Sequence, residues 1–196
     1  MEQSNARLDP RIIRTRRMLR DAFVELLEEM DVEKISVNKL AERATINRVT
    51  FYLHYRDIQD MMEKMADDMI EELNAIVQPD ESNSLQDPYE SLALRLLEHI
   101  ALHHRFYKVI LATKRTTVFT ERMLRLLTTM VTANVERADS KSELTLAGIQ
   151  KDVAIWYGSS ALIGTIIAWL REDMPYTPAF LAKQFCLFRR YQCTKP

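Results

Sequence analysis

Arg48, Thr50, Tyr52 and His54 fall in the segment RVTFYLHY, Arg48 to Tyr55. Helical spacing there turns Phe51 and Tyr55 to one side and spreads Arg48, Val49, Thr50, Tyr52, Leu53 and His54 around the rest. Such a mixture suits the major groove of double-stranded DNA. An arginine reaches guanine or phosphate, hydroxyls and imidazole donate to phosphate oxygens, and short apolar groups meet thymine methyls. A surface helix that merely closes a helical corner seldom exposes a Tyr, a Leu and a Val together, so that blander reading is the weaker one.

A helix this short needs neighbours to hold it. Ser36 is placed to cap a preceding helix through Val37, Leu40, Ala41 and Ala44, whose three-and-four spacing marks one buried face. Thr45-Ile46-Asn47 then supplies a turn and a second cap, so Ser36 to Tyr55 reads as a helix-turn-helix. Upstream, residues 1 to 8 read as a loose arm. Asp9-Pro10 opens a helix with the apolar stripe Leu19, Phe23, Leu26, Leu27 and Met30. Downstream, Arg56-Asp57 breaks the pattern and Asp57 caps a fourth helix through Ile58, Met61, Met62, Met65, Met69, Ile70 and Leu73 to about Val77.

Three glycines and six prolines in 196 residues, with ten Met, indicate an all-α chain. The formal charge of -1 hides an asymmetry. Arg7, Arg11, Arg14, Arg16, Arg17 and Arg20 cluster near the start with only Asp9 among them, whereas residues 57 to 196 hold 16 basic and 19 acidic side chains. A basic head on a mildly acidic body suits a nucleic-acid contact confined to one end. The expected division is a helix-turn-helix domain at residues 9–56 and a larger helical regulatory and dimerisation domain at residues 57–196.

In that body, Gln78 to Pro88 reads as a polar loop and Asp139 to Glu143 as a second break. Helices are expected from Tyr89 to about His103, through Phe106 to Leu111, and from about Thr117 to Ala138. Ile149, Val153, Trp156, Ser160, Ile163, Ile167 and Leu170 then form a sustained seam beside the small residues Ala154, Gly158, Ala161, Thr165 and Ala168. A last helix from about Pro178 to Gln192 carries Phe180, Leu181, Phe185, Leu187, Phe188 and Tyr191. The pair is suited to completing a monomer core or to meeting a two-fold copy of itself.

Other chemistries find little support. His99 and His103 share a helix face beside Glu98 and His104, but without a zinc or di-iron signature they read as polar surface histidines, and no metal is expected. No phosphate loop or serine elbow suggests an enzyme, and no cofactor is implied. Cys186 and Cys193 read as reduced core thiols. The N-terminus is polar, and no apolar run is taken to approach the roughly 18 residues that cross a bilayer. The expectation is a cytoplasmic protein without a membrane partner.

Residues 11 to 62 resemble the DNA-binding domain of the TetR family of bacterial transcription regulators, through Phe23 and Leu27, KLAERA (Lys39 to Ala44), TFYLHY (Thr50 to Tyr55) and the Asp57 cap. The body, including WYGSSALIGTIIAWL (Trp156 to Leu170), is similar to a subgroup seen in Gram-positive bacteria. The resemblance implies a homodimer, joined by its last two helices, that sets two recognition helices on a near-palindromic operator. By position it makes Arg48, Val49 and Thr50 base or groove contacts and Tyr52 and His54 phosphate contacts. Asn38 stands where the family often reads a base, and Lys39, Asn47, Arg56, Arg11 and Arg14 complete the expected DNA-binding set. Two departures stand out. Thr45 occupies the turn position usually held by glycine, and Ile58 stands where many members carry a phosphate-binding lysine, leaving Arg56 as the nearby candidate.

The resemblance also implies an effector pocket in the body, for which Met65, Met69, Tyr107, Phe119, Met123, Trp156 and Tyr157 are the apolar and aromatic candidates. Ile149, Val153, Trp156, Ser160, Ile163, Ile167, Phe185 and Phe188 are the candidates for the dimer interface. No polar cluster specifies a ligand. The alternative is therefore a DNA-bound co-activator or adaptor whose body binds a protein partner and no small molecule.

Overall fold

A computed structural model describes residues 9–77, 88–112, 117–137 and 149–193. The arm at 1 to 8, the polar loop at 78 to 87 and the break at 139 to 143 lie outside the described residues, as does the Cys193 side chain. Among the described residues the chain is all-helical. α1 spans Pro10–Glu29, α2 Val37–Arg43, α3 Arg48–Tyr52, α4 Ile58–Val77, α5 Pro88–Leu102, α6 His104–Tyr107, α7 Val118–Arg137, α8 Lys151–Arg171 and α9 Pro178–Cys193. A 3-10 turn, Val32–Lys34, precedes α2, and a π-helical segment, Lys108–Ala112, follows α6.

The chain divides into two compact units, Met1–Met65 and Ala66–Pro196, with the division inside α4. In the first unit each boundary has a local cause. Asp9 accepts from the Arg11 amide at 2.9 Å and Pro10 opens α1. Ser36 Oγ accepts from the Lys39 amide at 3.3 Å, Asn47 Oδ1 from Val49 at 2.8 Å, and Asp57 Oδ1 from Asp60 at 2.8 Å. Each bond satisfies an amide that the first helical turn leaves without a partner. α2 ends in a Schellman arrangement: the Thr45 amide donates to the Glu42 carbonyl at 3.0 Å and the Ile46 amide to Ala41 at 2.9 Å. Thr45 is thereby held at φ 55°, a left-handed conformation that favours glycine.

α1 packs on α2 and α2 on α3. Leu19, Phe23, Leu27, Leu40, Phe51 and Met61 are fully buried, and Tyr55 nearly so. Burying a side chain of this size contributes about 1.5–3 kcal/mol, so these few residues hold the unit together. Arg43 grips Glu29 with two parallel bonds of 2.8 and 2.9 Å, fixing the end of α1 to α2. The Arg43 hydrogen bond holds the Glu29 carboxyl below its ordinary range.

In the second unit α5 packs against α9 and α7 against α8, with the π-helical segment lodged on α8. Leu97, Ile100, Tyr107, Ile110, Phe119, Met123, Leu127 and Ile166 form its interior. Gly158 lets α8 approach α7 closely, since a Cβ there would lie 3.2 Å from Val131 Cγ1. A second Schellman turn closes α8, with Asp173 and Met174 at φ 53° and 55°. Lys108 pairs with Asp173, and Trp169 Nε1 donates to the Tyr176 carbonyl at 2.9 Å, setting the bend into α9.

Several sequence expectations change. Val153 to Leu170 is an uncharged run of 18 residues, and α8 is long and apolar enough to cross a bilayer by length and composition, contrary to the expectation above. Its serines, threonine and small residues disguised the run, and one side of it packs on α7. His99 is not a surface residue: its side chain is 13% exposed, its ring lies 4.7 Å from His103 and 5.8 Å from Tyr107, and Nε2 is 3.8 Å from Glu72. Only His103 and His104 face solvent. Among the described residues no group of three or more His, Cys, Asp or Glu is arranged to hold a metal. Cys186 is buried.

Candidate nucleic-acid interface

α3 covers little more than one turn, Arg48–Tyr52, and Leu53 and His54 follow in a turn where two full turns of helix were expected. Phe51 and Tyr55 nonetheless point inward, with ring centroids 5.7 Å apart. Their burial leaves Val49 at 66%, Leu53 at 77% and Tyr52 at 46% exposure, with Arg48 exposed and Thr50 and His54 half-buried. Arg48 does not wave freely. Its Nη2 donates to the Tyr52 hydroxyl at 3.0 Å, and its guanidinium carbon lies 5.4 Å from the Tyr52 ring centroid. Both groups are thus held one turn apart on the outer face, where they can present two charged or polar tips to a groove.

Partial burial, then the charge of Arg16, lowers the His54 pKa below its ordinary value and so favours the neutral imidazole. A neutral imidazole still donates one N–H. Arg16 Nε is itself buried and without an acceptor in the described structure. Arg11 and Arg14 are exposed on the first turns of α1, and Asn38 is exposed on α2. Asn47 spends its carbonyl on the α3 cap. Lys39 turns back instead, donating to the Lys34 carbonyl at 3.0 Å, because that carbonyl ends the 3-10 turn within its reach.

Arg56 is engaged as well. Its Nε and Nη2 donate to Asp60 Oδ1 at 3.1 and 2.9 Å, although the side chain stays 82% exposed. Sequence reading counted Arg56 as a phosphate ligand and overlooked Asp60 and Lys64. The four-residue spacing of Arg56, Asp60 and Lys64 was the available signal.

In the body, Met69, Tyr107, Phe119 and Met123 are buried, and Phe106 bridges Tyr107 and Phe119 with edge contacts at 5.4 and 6.0 Å. Met65 is buried but belongs to the N-terminal unit. Trp156 and Tyr157, expected in the pocket, are 63% and 61% exposed, because the part of α8 that carries them turns them to solvent. Ile149 precedes α8, and it is exposed together with Val153, Ser160 and Phe188. Ile167 is half-buried, whereas Ile163 and Phe185 are buried in the chain's own core.

Capped short helices around a buried aromatic pair, set before a separate helical unit, define a helix-turn-helix regulator. Residues 87–190 match the TetR family described as transcriptional regulator C-terminal region. The chain belongs to the TetR family of transcriptional regulators, a class of regulators and not of enzymes. It is 30% identical over 99 residues to YxbF, an uncharacterized HTH-type transcriptional regulator of Bacillus subtilis (strain 168), a match covering 48% of this chain and 26% of the relative. The matched segment therefore spans about a quarter of that relative's length. The fold is similar to a TetR transcriptional regulator from Streptococcus agalactiae 2603V, with TM-score 0.68, 22% identity, and 91% and 94% of the two chains covered. It is also similar to FadR from Bacillus subtilis in complex with stearoyl-CoA, with TM-score 0.59, 17% identity, and 86% and 94% covered.

Proposed function

We propose that this regulator reads a near-palindromic operator as a cytoplasmic homodimer, using residues 9–56 as the reader and residues 57–196 for dimerisation and control. The observation that carries the reading is the outer face of α3, where Arg48, Val49, Tyr52 and Leu53 stand exposed over the buried Phe51 and Tyr55. Arg48 and Val49 serve base edges and groove, with Thr50 beside them, and Tyr52 and His54 serve phosphate. Asn38, Asn47, Arg11 and Arg14 flank them.

Two-fold pairing is supported by the apolar groups that α8 and α9 expose in a single chain: Val153, Trp156, Leu187 and Phe188. Within α8 the chain itself buries Ser159, Ile163, Ile166, Trp169 and Leu170, and exposed apolar groups gathered on the remaining side mark a surface for association. Control by a small apolar or aromatic effector is supported by the similarly folded FadR, solved with stearoyl-CoA, and the buried Met69, Tyr107, Phe119 and Met123 are the candidates to line its site. An effector with different affinities for two settings of α4 shifts the population of operator-competent dimers by that difference.

A gel shift against the DNA flanking its own gene tests the reading. Specific binding is expected, and Arg48→Ala should weaken it by about 1–3 kcal/mol. Weak binding that is equal for every sequence at physiological salt would overturn it.

A further inference from the structure

Asp60 accepts four hydrogen bonds from Arg56 and Lys64. It lies in the first turn of α4 with its side chain only 7% exposed. Oδ2 accepts from the Arg56 amide at 3.0 Å and from Lys64 Nζ at 3.0 Å, while Oδ1 takes both guanidinium bonds from Arg56. Capping does not need this, because Asp57 already accepts the Asp60 amide. Lys64, one turn further along α4, also donates to the His54 carbonyl at 3.2 Å and sits 5.5 Å from the Tyr55 ring centroid. One carboxylate and one ammonium on α4 therefore grip three consecutive residues, His54, Tyr55 and Arg56, which follow α3 after its C-cap Leu53. The Arg56 amide and then Lys64 hold the Asp60 carboxyl well below the usual carboxylate range, so the grip is charged at neutral pH.

We propose that Asp60 and Lys64 are positioning residues for DNA recognition: α4 sets the orientation of the His54–Arg56 segment, and with it the end of α3, through this carboxylate–ammonium clamp. This rests on α3 being the reader, and it names the contacts through which α4 acts on it. Arg56 then serves chiefly as a strut of the clamp.

Charge and position predict opposite signs, which makes the proposal testable in the full chain. Removing an acid beside a DNA-binding face by itself tightens binding. Asp60→Asn keeps the shape but weakens the clamp, so specific affinity should fall about tenfold and exchange of the Arg56 amide should accelerate about tenfold, with α1 amides unchanged. The exposed acid control Glu63→Gln should instead leave specific binding equal or slightly tighter. Lys64→Met, which leaves the Asp57 cap and the Arg56–Asp60 pair in place, should shift exchange and specific affinity in the same direction as Asp60→Asn, and it decides the matter if Asp60→Asn fails to fold. Unchanged exchange at residues 54 to 56 in both variants overturns the clamp. Faster exchange with specific affinity equal to or tighter than wild type overturns its positioning role while leaving the reader intact. Absence of sequence-specific binding in the wild type overturns the reader, and the positioning role with it.

Discussion

Thr45→Gly should stabilise the protein, although it deletes a side chain and adds no contact. Thr45 is exposed, so little packing is lost, and its amide bond to Glu42 survives in glycine. What changes is the cost of φ 55°. A residue with a Cβ costs about 1–2 kcal/mol in the left-handed region. Glycine removes that cost but gains freedom in the unfolded chain, worth about 0.5–1 kcal/mol the other way. The net gain is about 0.5–1 kcal/mol. For a chain of this size each kcal/mol moves Tm by about 2–4 °C, so the midpoint should rise by about 1–4 °C. Thermal unfolding followed by far-UV circular dichroism measures it, at one fixed protein concentration because a dimer's midpoint depends on concentration. Thr45→Ala is the control, since it keeps the Cβ and should recover little of the gain. If Thr45→Gly lowers Tm while Thr45→Ala raises it, the left-handed backbone is not the source of the cost.

Phe188→Asp should leave protomer folding nearly unchanged, because the ring is 64% exposed, but should convert the proposed dimer to monomer in sedimentation at micromolar concentration. An unchanged mass would place the dimer face elsewhere. Gly158→Leu should destabilise by about 1–3 kcal/mol through the close Val131 contact, read as a lower Tm. Gly164→Ala meets nothing within 4 Å in the protomer and should gain up to about 1 kcal/mol of helix propensity in the monomeric Phe188→Asp background. Asp60 has a folded pKa below its unfolded value, so its stabilisation is present above about pH 3.9 and is lost as pH falls from there through the folded value. The acid limb of a stability–pH profile should therefore be shallower in Asp60→Asn than in wild type.

The caps were legible because each rests on one side chain and its nearest amides: Asp9, Ser36, Asn47 and Asp57 all act where their residue types place them. The inward turn of Phe51 and Tyr55 was legible for a related reason, since four-residue spacing fixes a face even when the helix stops early. What the sequence did not disclose depends on groups far apart or on competing partners. His99 reads as polar until Tyr107 packs beside it. Trp156 fits an apolar interior equally well until packing of α8 on α7 decides which side is outward. Lys39 and Arg56 carry the right charge for phosphate, yet a nearby carbonyl and carboxylate claim them in the folded chain.

The brevity of α3 has a consequence for how this chain can diversify. A helix of five residues has almost no stability of its own, since nucleating a turn is unfavourable and propagation has no length over which to repay it. Its existence is owed to the buried Phe51 and Tyr55 and to the Asn47 cap, all at positions other than the exposed Arg48, Val49, Tyr52 and Leu53. The lettering and the page are therefore separate. Positions 48, 49, 52 and 53 are open to replacement with little penalty to folding, so under the proposed reading a new target sequence can be acquired by a handful of substitutions on an unaltered support.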